Sequence, residues 1–354
     1  MPLLSVCIPA YNRPGPLKEL IQSIVDQDYI DFEILICEDK STRVKEIRAV
    51  IEQYILDFPK VKIRAIYNDV NLGYDGNFRK LIKESEGEYC VFMGDDDLLV
   101  DGGLKKISDV VNKHEDIGVV LRTWGKIQGA SREPIEIFRY FDGDRLFEAG
   151  DQSIVSLFRR SVAISGYTVN RELANKYATE RFDGTLLYQV YLTGMILSVS
   201  RGYYISQLIS LMRIEKDSTT SHFFGNSDAE RKRFKPGALE TEHSLNFIKG
   251  MIDIAEHLEL HPARPGLAGK IKADLGNYSY PLLSYQVDKP ILVFGRYYFS
   301  LMRLGLWRNV YIHLYFIALI TLGRSRCEKV IVTIKELLNR TPKLGNLYTG
   351  ELID

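Results

Sequence analysis

The first third of the chain alternates short apolar runs with stretches whose apolar positions return every three or four residues, and this rhythm confines it to an α/β fold. Residues 3–8 read as a strand. Leu17, Leu20, Ile21, Ile24 and Val25 then share a helical face behind Pro14-Gly15-Pro16, a turn suited to starting a helix. Residues 33–37 are apolar after Glu33, the pattern of a parallel strand buried on both faces. Val44, Ile47, Ile51 and Ile55 mark the next helix, which ends near Pro59. Residues 61–67 read as a strand, 78–85 as a helix, and 89–93 as a strand that runs straight into acid. Leu104, Ile107, Val110 and Val111 give another helix, and 118–121 another strand.

Farther on the pattern loosens. Residues 129–150, rich in Gly, Arg, Asp and aromatics, read as irregular strands and loops, while 154–163 and 185–192 look helical. A polar stretch at 215–226, then a basic one at 231–235 and Pro236-Gly237, divides the chain. Residues 1–225 form the sheet domain, and 226–354 a smaller, mainly helical region, both of ordinary domain size. Lys plus Arg equals Asp plus Glu, 46 against 46, which argues against a dedicated nucleic-acid binder. The four cysteines are too scattered for a disulfide framework or a zinc site. Cys7, Cys37 and Cys90 fall in strand-like runs, where a thiol acts as a small buried hydrophobe. A reducing cytoplasm fits, and Met1-Pro2-Leu3-Leu4-Ser5 lacks the basic segment of a signal peptide. No uncharged apolar stretch reaches the about 20 residues of a membrane span. The longest candidate, 310–322, contains His313.

The strongest chemical signal is Phe92-Met93-Gly94-Asp95-Asp96-Asp97-Leu98. Three adjacent carboxylates repel one another unless something positive sits among them, and ligands of open α/β sheets bind outside the carboxyl ends of strands. A hard divalent cation held by one or two of these carboxylates and a substrate phosphate explains the run. A solvated acidic turn that caps the following helix explains it equally. The second strand ends in Glu38-Asp39-Lys40-Ser41-Thr42, at the same sheet edge if both strands are parallel. The alternative there is helix capping, with Ser41 or Thr42 as the cap. The first strand ends in Pro9-Ala10-Tyr11-Asn12-Arg13, where the Tyr11 ring is able to stack on a base or simply to pack.

As a set these residues resemble the family 2 glycosyltransferases of GT-A fold. Residues 5–13 look like that family's opening strand and loop, and Glu38 to Thr42 like its acidic nucleotide motif, with Glu38 and Lys40 where Asp and Gly are usual. Asn71-Leu72-Gly73-Tyr74-Asp75-Gly76-Asn77 resembles the family's N-x-G turn, and Glu86-Gly87-Glu88-Tyr89 the approach to its D-x-D motif. Gly94 stands where many members carry the first Asp. The resemblance covers roughly residues 1–220 and implies a Rossmann-like mixed sheet flanked by helices. It implies nucleotide binding by Pro9, Ala10, Tyr11, Asn12, Arg13, Asp39, Asn71, Gly73, Asn77 and Asp95. Asp39 would bond the base, Tyr11 stack near it and Asp95 face the ribose. Asp96 and Asp97 would hold Mg²⁺ or Mn²⁺. Asp183, in Arg181-Phe182-Asp183-Gly184-Thr185, matches the position of the general base, with Glu172 and Glu180 as weaker candidates. A helix N-cap is the plain alternative for Asp183. Residues 212–218, with Arg213 and Glu215, resemble the arginine segment that closes the catalytic domain; Glu215 or the nearby His222 is able to approach metal or diphosphate, or both sit on a surface loop.

The implied reaction is inverting transfer of a hexosyl or deoxyhexosyl group from a nucleotide-diphosphate sugar to a saccharide acceptor, as in O-antigen or capsule synthesis. A nucleotidylyltransferase would need a Gly-rich phosphate loop after the first strand, and residues 9–16 hold only Gly15. A dehydrogenase would need G-x-G-x-x-G there. A non-catalytic carbohydrate-binding scaffold is the rival from outside enzymology, and donor hydrolysis discriminates it. Residues 290–322 mix aromatics with Arg296, Arg303 and Arg308. That mixture suits peripheral contact with the inner face of a membrane and a lipid-linked acceptor, or else an internal core with arginines at its rim.

Overall fold

The computed structural model describes residues 1–129, 131–214, 225–235 and 241–353. In chain order its strands are β1 (Leu4–Ala10), β2 (Phe32–Glu38), β3 (Lys62–Tyr67), β4 (Tyr89–Phe92), β5 (Leu98–Leu99), β6 (Ile117–Gln128), β7 (Glu136–Phe138), β8 (Arg145–Phe147), β9 (Tyr167–Asn170), β10 (Arg201–Ile214) and β11 (Glu351–Leu352). They form one mixed sheet with the order β11-β8-β10-β6-β9-β4-β1-β2-β3; β5 pairs with β10 and β7 with β6. β1 runs parallel to both β2 and β4, whereas β9 is antiparallel to β4 and β6. The chain moves outward from β1 to β2 and β3, then returns to β1's other side as β4. This reversal makes the carboxyl ends of β1 and β4 the topological switch point, and the crevice outside such strand ends is the usual ligand position in open sheets.

The helices α1 (Pro14–Val25), α2 (Val44–Asp57), α3 (Gly73–Glu84), α4 (Gly103–Lys113), α5 (Asp151–Phe158), α6 (Arg171–Lys176) and α7 (Tyr188–Leu197) flank the sheet. Beyond them follow α8 (Asp228–Arg231), α9 (Thr241–Leu260), α10 (Leu267–Asn277), α11 (Tyr280–Ser284), α12 (Ile291–Arg303) and α13 (Val310–Leu338). β2 is buried along its whole length, as its apolar run requires. Cys7, Cys37 and Cys90 are buried free thiols.

α3 begins at Gly73, five residues before the expected 78, because remote carboxylates accept its first N–H groups. α7 begins at Tyr188 rather than 185, and the helix expected over 154–163 is α5 followed by a single 3₁₀ turn, Arg159–Ser161.

The apolar core is continuous from the sheet into the C-terminal helices: one cluster holds Phe78, Phe92 and Tyr188 together with Ile254, Leu275, Phe294 and Ile312. The terminal segment then crosses back, Thr341 N donating to Arg139 O at 2.9 Å and β11 pairing antiparallel with β8. The helical region and the sheet domain thus share one core. Residues 290–322 are partly core and partly surface. Phe294, Tyr297, Leu301 and Leu306 are buried, while Phe299 and Trp307 are 63% and 56% exposed. Arg296, Arg303 and Arg308 are exposed as well. Among the described residues no helix is long and apolar enough to cross a membrane.

Candidate active site

The loop after β1 meets the loop after β4 in the crevice. Asp95 Oδ2 accepts the Tyr11 backbone N–H at 2.8 Å, and Asp95 Oδ1 accepts from Arg13 Nη1 at 2.9 Å. The same Arg13 nitrogen lies 3.1 Å from Asp96 Oδ2. Arg13, expected only as a nucleotide contact, is therefore the positive charge that the acidic run requires. Asp95 and Asp96 share Arg13, and the third carboxylate leaves them. Asp97 turns the other way: its Oδ2 accepts from the Ser165 hydroxyl, and its Oδ1 from the Arg213 N–H at 2.9 Å. Asp96 is the one that reaches solvent, its side chain 22% exposed.

Burial is the main force on the two inner carboxyls. It pushes Asp95 up to about 6 against the pull of Arg13, and Asp97, with the Asp96 charge nearby, up to about 8. Gly94 is fixed by space. A β-carbon there would lie 2.9 Å from Asp97 Oδ2 and 3.3 Å from Ser165 Oγ, so an Asp at this position would require the Asp97 carboxylate to shift. Arg213 closes the loop from β10: its Nε donates to Asp96 O at 3.0 Å and its Nη2 to Glu19 at 2.6 Å. Glu215 and His222 lie outside the described residues.

The second cluster lies beyond β2. Asp39 accepts from the Leu72 and Gly73 N–H groups and from Asn68 Nδ2, each at 2.8 Å, and is buried. Asn71 returns a bond to Asp39 O at 2.9 Å, and Asn77 donates to Cys37 O at 2.9 Å. Asp39, Asn71 and Gly73 thus satisfy one another and shape the turn, and Asn68 joins Asp39 to Asn77. Gly73 has φ +73°, and a β-carbon there would strike Ser227 Oγ at 2.3 Å. Asn12, also in the left-handed region at φ 60°, accepts from Thr42 Oγ1 at 2.9 Å and joins the β1 and β2 loops. Pro9 and Ala10 belong to β1, and Ala10 O accepts the Asp39 N–H at 3.1 Å. Tyr11 is half-buried beside this cluster; burial first, then the charges of Asp39 and Glu230, raise its phenol above the ordinary value.

Asp183 sits in the turn before α7 and does not cap that helix. Arg79 of α3 grips it in a two-pronged ion pair, Nη1–Oδ1 at 2.6 Å and Nη2–Oδ2 at 2.9 Å. Glu180 lies 3.7 Å from the same guanidinium and is exposed; Glu172 lies in the first turn of α6. The carboxylate at the start of α7 is Asp75, which accepts from Leu186, Leu187 and Tyr188 N–H at 2.9, 3.1 and 3.0 Å. Glu230 plays the same part for α3, accepting from Tyr74 N at 2.8 Å. Sequence reasoning passed over both. For Asp75 the signal was a charged residue inside a Gly-bounded turn, Tyr74-Asp75-Gly76.

Among the described residues no group of three or more His, Cys, Asp or Glu side chains converges on a point. Asp96, with Asp95 behind it, would be the residues to hold a hard cation, a kind of ion that one or two carboxylates suffice to bind when phosphate and water complete the set.

A family model described as Glycosyl transferase family 2 matches residues 5–162. The chain is 36% identical over 117 residues to the abequosyltransferase RfbV of Salmonella typhimurium, covering 32% of this chain and 34% of that one. It is 31% identical over 113 residues to the GalNAc(5)-diNAcBac-PP-undecaprenol beta-1,3-glucosyltransferase of Campylobacter jejuni, covering 32% and 36%. The chain thus spans about a third of the length of these curated relatives. Among solved structures, TarS 1-349 of S. aureus in complex with UDP-GlcNAc superposes with a TM-score of 0.57 at 16% identity, over 98% of this chain and 94% of that one. That likeness concerns the fold.

Proposed function

This chain belongs to glycosyl transferase family 2 through residues 5–162, and from that premise we propose that it transfers a sugar from a nucleotide-diphosphate donor to a saccharide hydroxyl. The observation that carries the reading is the crevice between β1 and β4, where Tyr11 and Arg13 face Asp95 and Asp96. An aromatic, an arginine and a solvent-reaching carboxylate at a topological switch point suit a base, a diphosphate and its counter-cation. Tyr11 takes the base. Asp39 serves it indirectly, by holding the Asn71–Gly73 turn in shape. Asp96, with Asp95, would hold Mg²⁺ or Mn²⁺, which when bound neutralises charge on the leaving diphosphate. Arg13 is placed to exchange its carboxylate partners for phosphate oxygens, and Arg213 fixes the loop that carries them.

Chemically this is a direct displacement with inversion at the anomeric carbon. The acceptor oxygen forms its bond as the nucleoside diphosphate departs from the opposite face, and a base takes the acceptor proton. We assign that base to Asp183, whose carboxylate keeps acceptor positions beyond the two filled by Arg79. The relatives' names place one on abequose and another on a diphosphate-undecaprenol-linked glycan, which supports surface polysaccharide synthesis and a lipid-linked acceptor here.

The test is transfer from a panel of UDP-, GDP- and CDP-sugars with Mn²⁺, after a thermal-shift screen for the donor that stabilises the fold. No stabilisation by any of them, with or without metal, removes the reading. With the donor in hand, Asp183→Asn should keep donor affinity and lose about 10²–10⁴-fold in turnover. Arg79→Met separates base from strut: an equal loss there would make Asp183 only the partner of Arg79.

The exposed Phe299 and Trp307 beside Arg303 and Arg308 support docking of this face on an anionic leaflet. Vesicles containing phosphatidylglycerol should bind the protein at low salt and release it at high salt. Arg303→Glu with Arg308→Glu should weaken that binding. Failure of the wild type to float with vesicles at low salt rejects the contact.

A further inference from the structure

Away from the crevice, a cavity of about 160 Å³ lies where three distant segments meet: the loop between β7 and β8, the 3₁₀ turn Arg159–Ser161, and the segment at 340–349. Its lining carries Arg145, Arg160, Arg340 and Lys343 against one carboxylate, Asp142. Asp142 is paired with Arg145. Asp274 offsets part of the charge from behind, 3.2 Å from Arg159 and 3.6 Å from Arg160, so the cavity keeps a positive excess in a chain of zero net charge. Among the described residues neither Arg340 nor Lys343 has a carboxylate within ion-pair distance, and Lys343 stands at the exposed rim.

Arg160 is the unusual member. It is 3% exposed, its Nη1 donates to Ser156 O at 2.6 Å, and its Nε is a buried donor without an acceptor. The rings of Tyr278, Tyr140 and Phe141 surround it, with centroids 5.2, 5.7 and 5.7 Å from its guanidinium carbon. Burying an arginine with an unanswered N–H is costly, and an anion in the cavity would answer it. Arg145 Nε is a second orphaned donor on the same lining. Thr341 and Thr349 add hydroxyls. Planar guanidinium donors with hydroxyls around them match tetrahedral oxyanions, phosphate above all.

The wall is firmly built. Tyr140 N donates to Tyr204 OH at 2.9 Å and Trp124 Nε1 to Tyr140 OH at 3.2 Å, so β6 and β10 hold the loop in place. Arg122 links it toward the crevice, donating to Ser165 O at 2.7 Å, the residue that also bonds Asp97, and lying within electrostatic reach of both Tyr140 and Asp97.

We propose that this cavity is a second anion site that takes a phosphoryl group, separate from the donor crevice. The assignment stands on the cavity's own residues and does not require the transfer reaction. The group can come from a soluble phosphate compound or from the diphosphate of a prenyl-linked molecule, which share the same chemistry.

The test is binding to the full chain in EDTA, so that metal-dependent binding in the crevice is silent. Inorganic pyrophosphate and farnesyl diphosphate are titrated by calorimetry into wild type, Asp96→Ala and Arg340→Ala with Lys343→Ala. Binding by wild type and Asp96→Ala, with at least about tenfold weaker affinity in the double variant, supports the site. Pyrophosphate binding as tight as that of the prenyl compound assigns a soluble source, and binding of the prenyl compound alone assigns a lipid one. No binding of either in EDTA, or binding unchanged in the double variant, overturns the proposal. Lys343 is exposed, and the half-buried Arg340 gives up one long bond, to Thr341 O at 3.4 Å, so folding is expected to survive. Loss of the donor reaction with pyrophosphate binding intact would reject the proposed function and leave this site standing.

Discussion

Asp96→Ala is expected to abolish sugar transfer, by at least roughly 10³-fold, while the protein stays folded. Asp96 is the solvent-reaching member of the acidic run, and its ion pair is with Arg13, which keeps Asp95 as a partner when Asp96 is gone. No buried donor is orphaned by its loss. The neighbouring carboxyls also lose a repulsion, so the apo fold should be unchanged or slightly more stable. The effect belongs to the donor complex, where a diphosphate would meet an acidic crevice without its counter-cation. Turnover and metal-dependent donor affinity should fall together, and wild type in EDTA should behave like the variant. Full activity of Asp96→Ala, or undiminished turnover in EDTA, would show that no metal acts through this carboxylate. Asp97, the other carboxylate expected at the metal, has both oxygens bonded to Ser165 and Arg213, so Asp97→Asn is expected to loosen the loop as well.

The strands of the first third could be read from the sequence because their information is local, whereas β9 and the long β10 went unread. A run such as residues 33–37 fits little except a doubly buried strand, and β2 is that. The parallel pairing of β1 with β2 and β4 brings both acidic motifs to one sheet edge, as the crossover pattern implies. Helix starts were harder, since their caps come from far away in the chain. Nothing near Gly73 reveals that Asp39 and Glu230 will accept the first N–H groups of α3, and two glycines in its first turn argue against a helix there. The Asp run could be recognised as a site but not resolved into roles. Whether adjacent carboxylates converge or splay depends on Ser165 and Arg213, which arrive from β9's approach and from β10. The basic cavity left no motif, because its walls meet only when the terminal segment returns to β8.

Asp75→Ala is expected to be the most damaging single change to the fold around the site, costing about 3 kcal/mol or more. Asp75 is 1% exposed, and its two oxygens accept three backbone N–H groups at the start of α7. Alanine leaves those donors buried and unanswered, and the turn that carries Asp183 rests on them. Asparagine should recover part of the loss, since its carbonyl can still accept while its amide confronts the same donors. Burial pushes the Asp75 carboxyl up to about 7, against the three N–H bonds that favour its charged form. A carboxyl whose folded value lies above its unfolded one of about 3.9 binds its proton more tightly in the folded state, so its stabilisation is complete at low pH and declines as pH rises through about 7. The advantage of wild type over Asp75→Asn should therefore be larger at pH 5 than at pH 8. Urea denaturation at the two pH values measures it. An advantage that grows toward pH 8 would mean that the three N–H bonds outweigh burial and that Asp75 caps α7 as a full carboxylate.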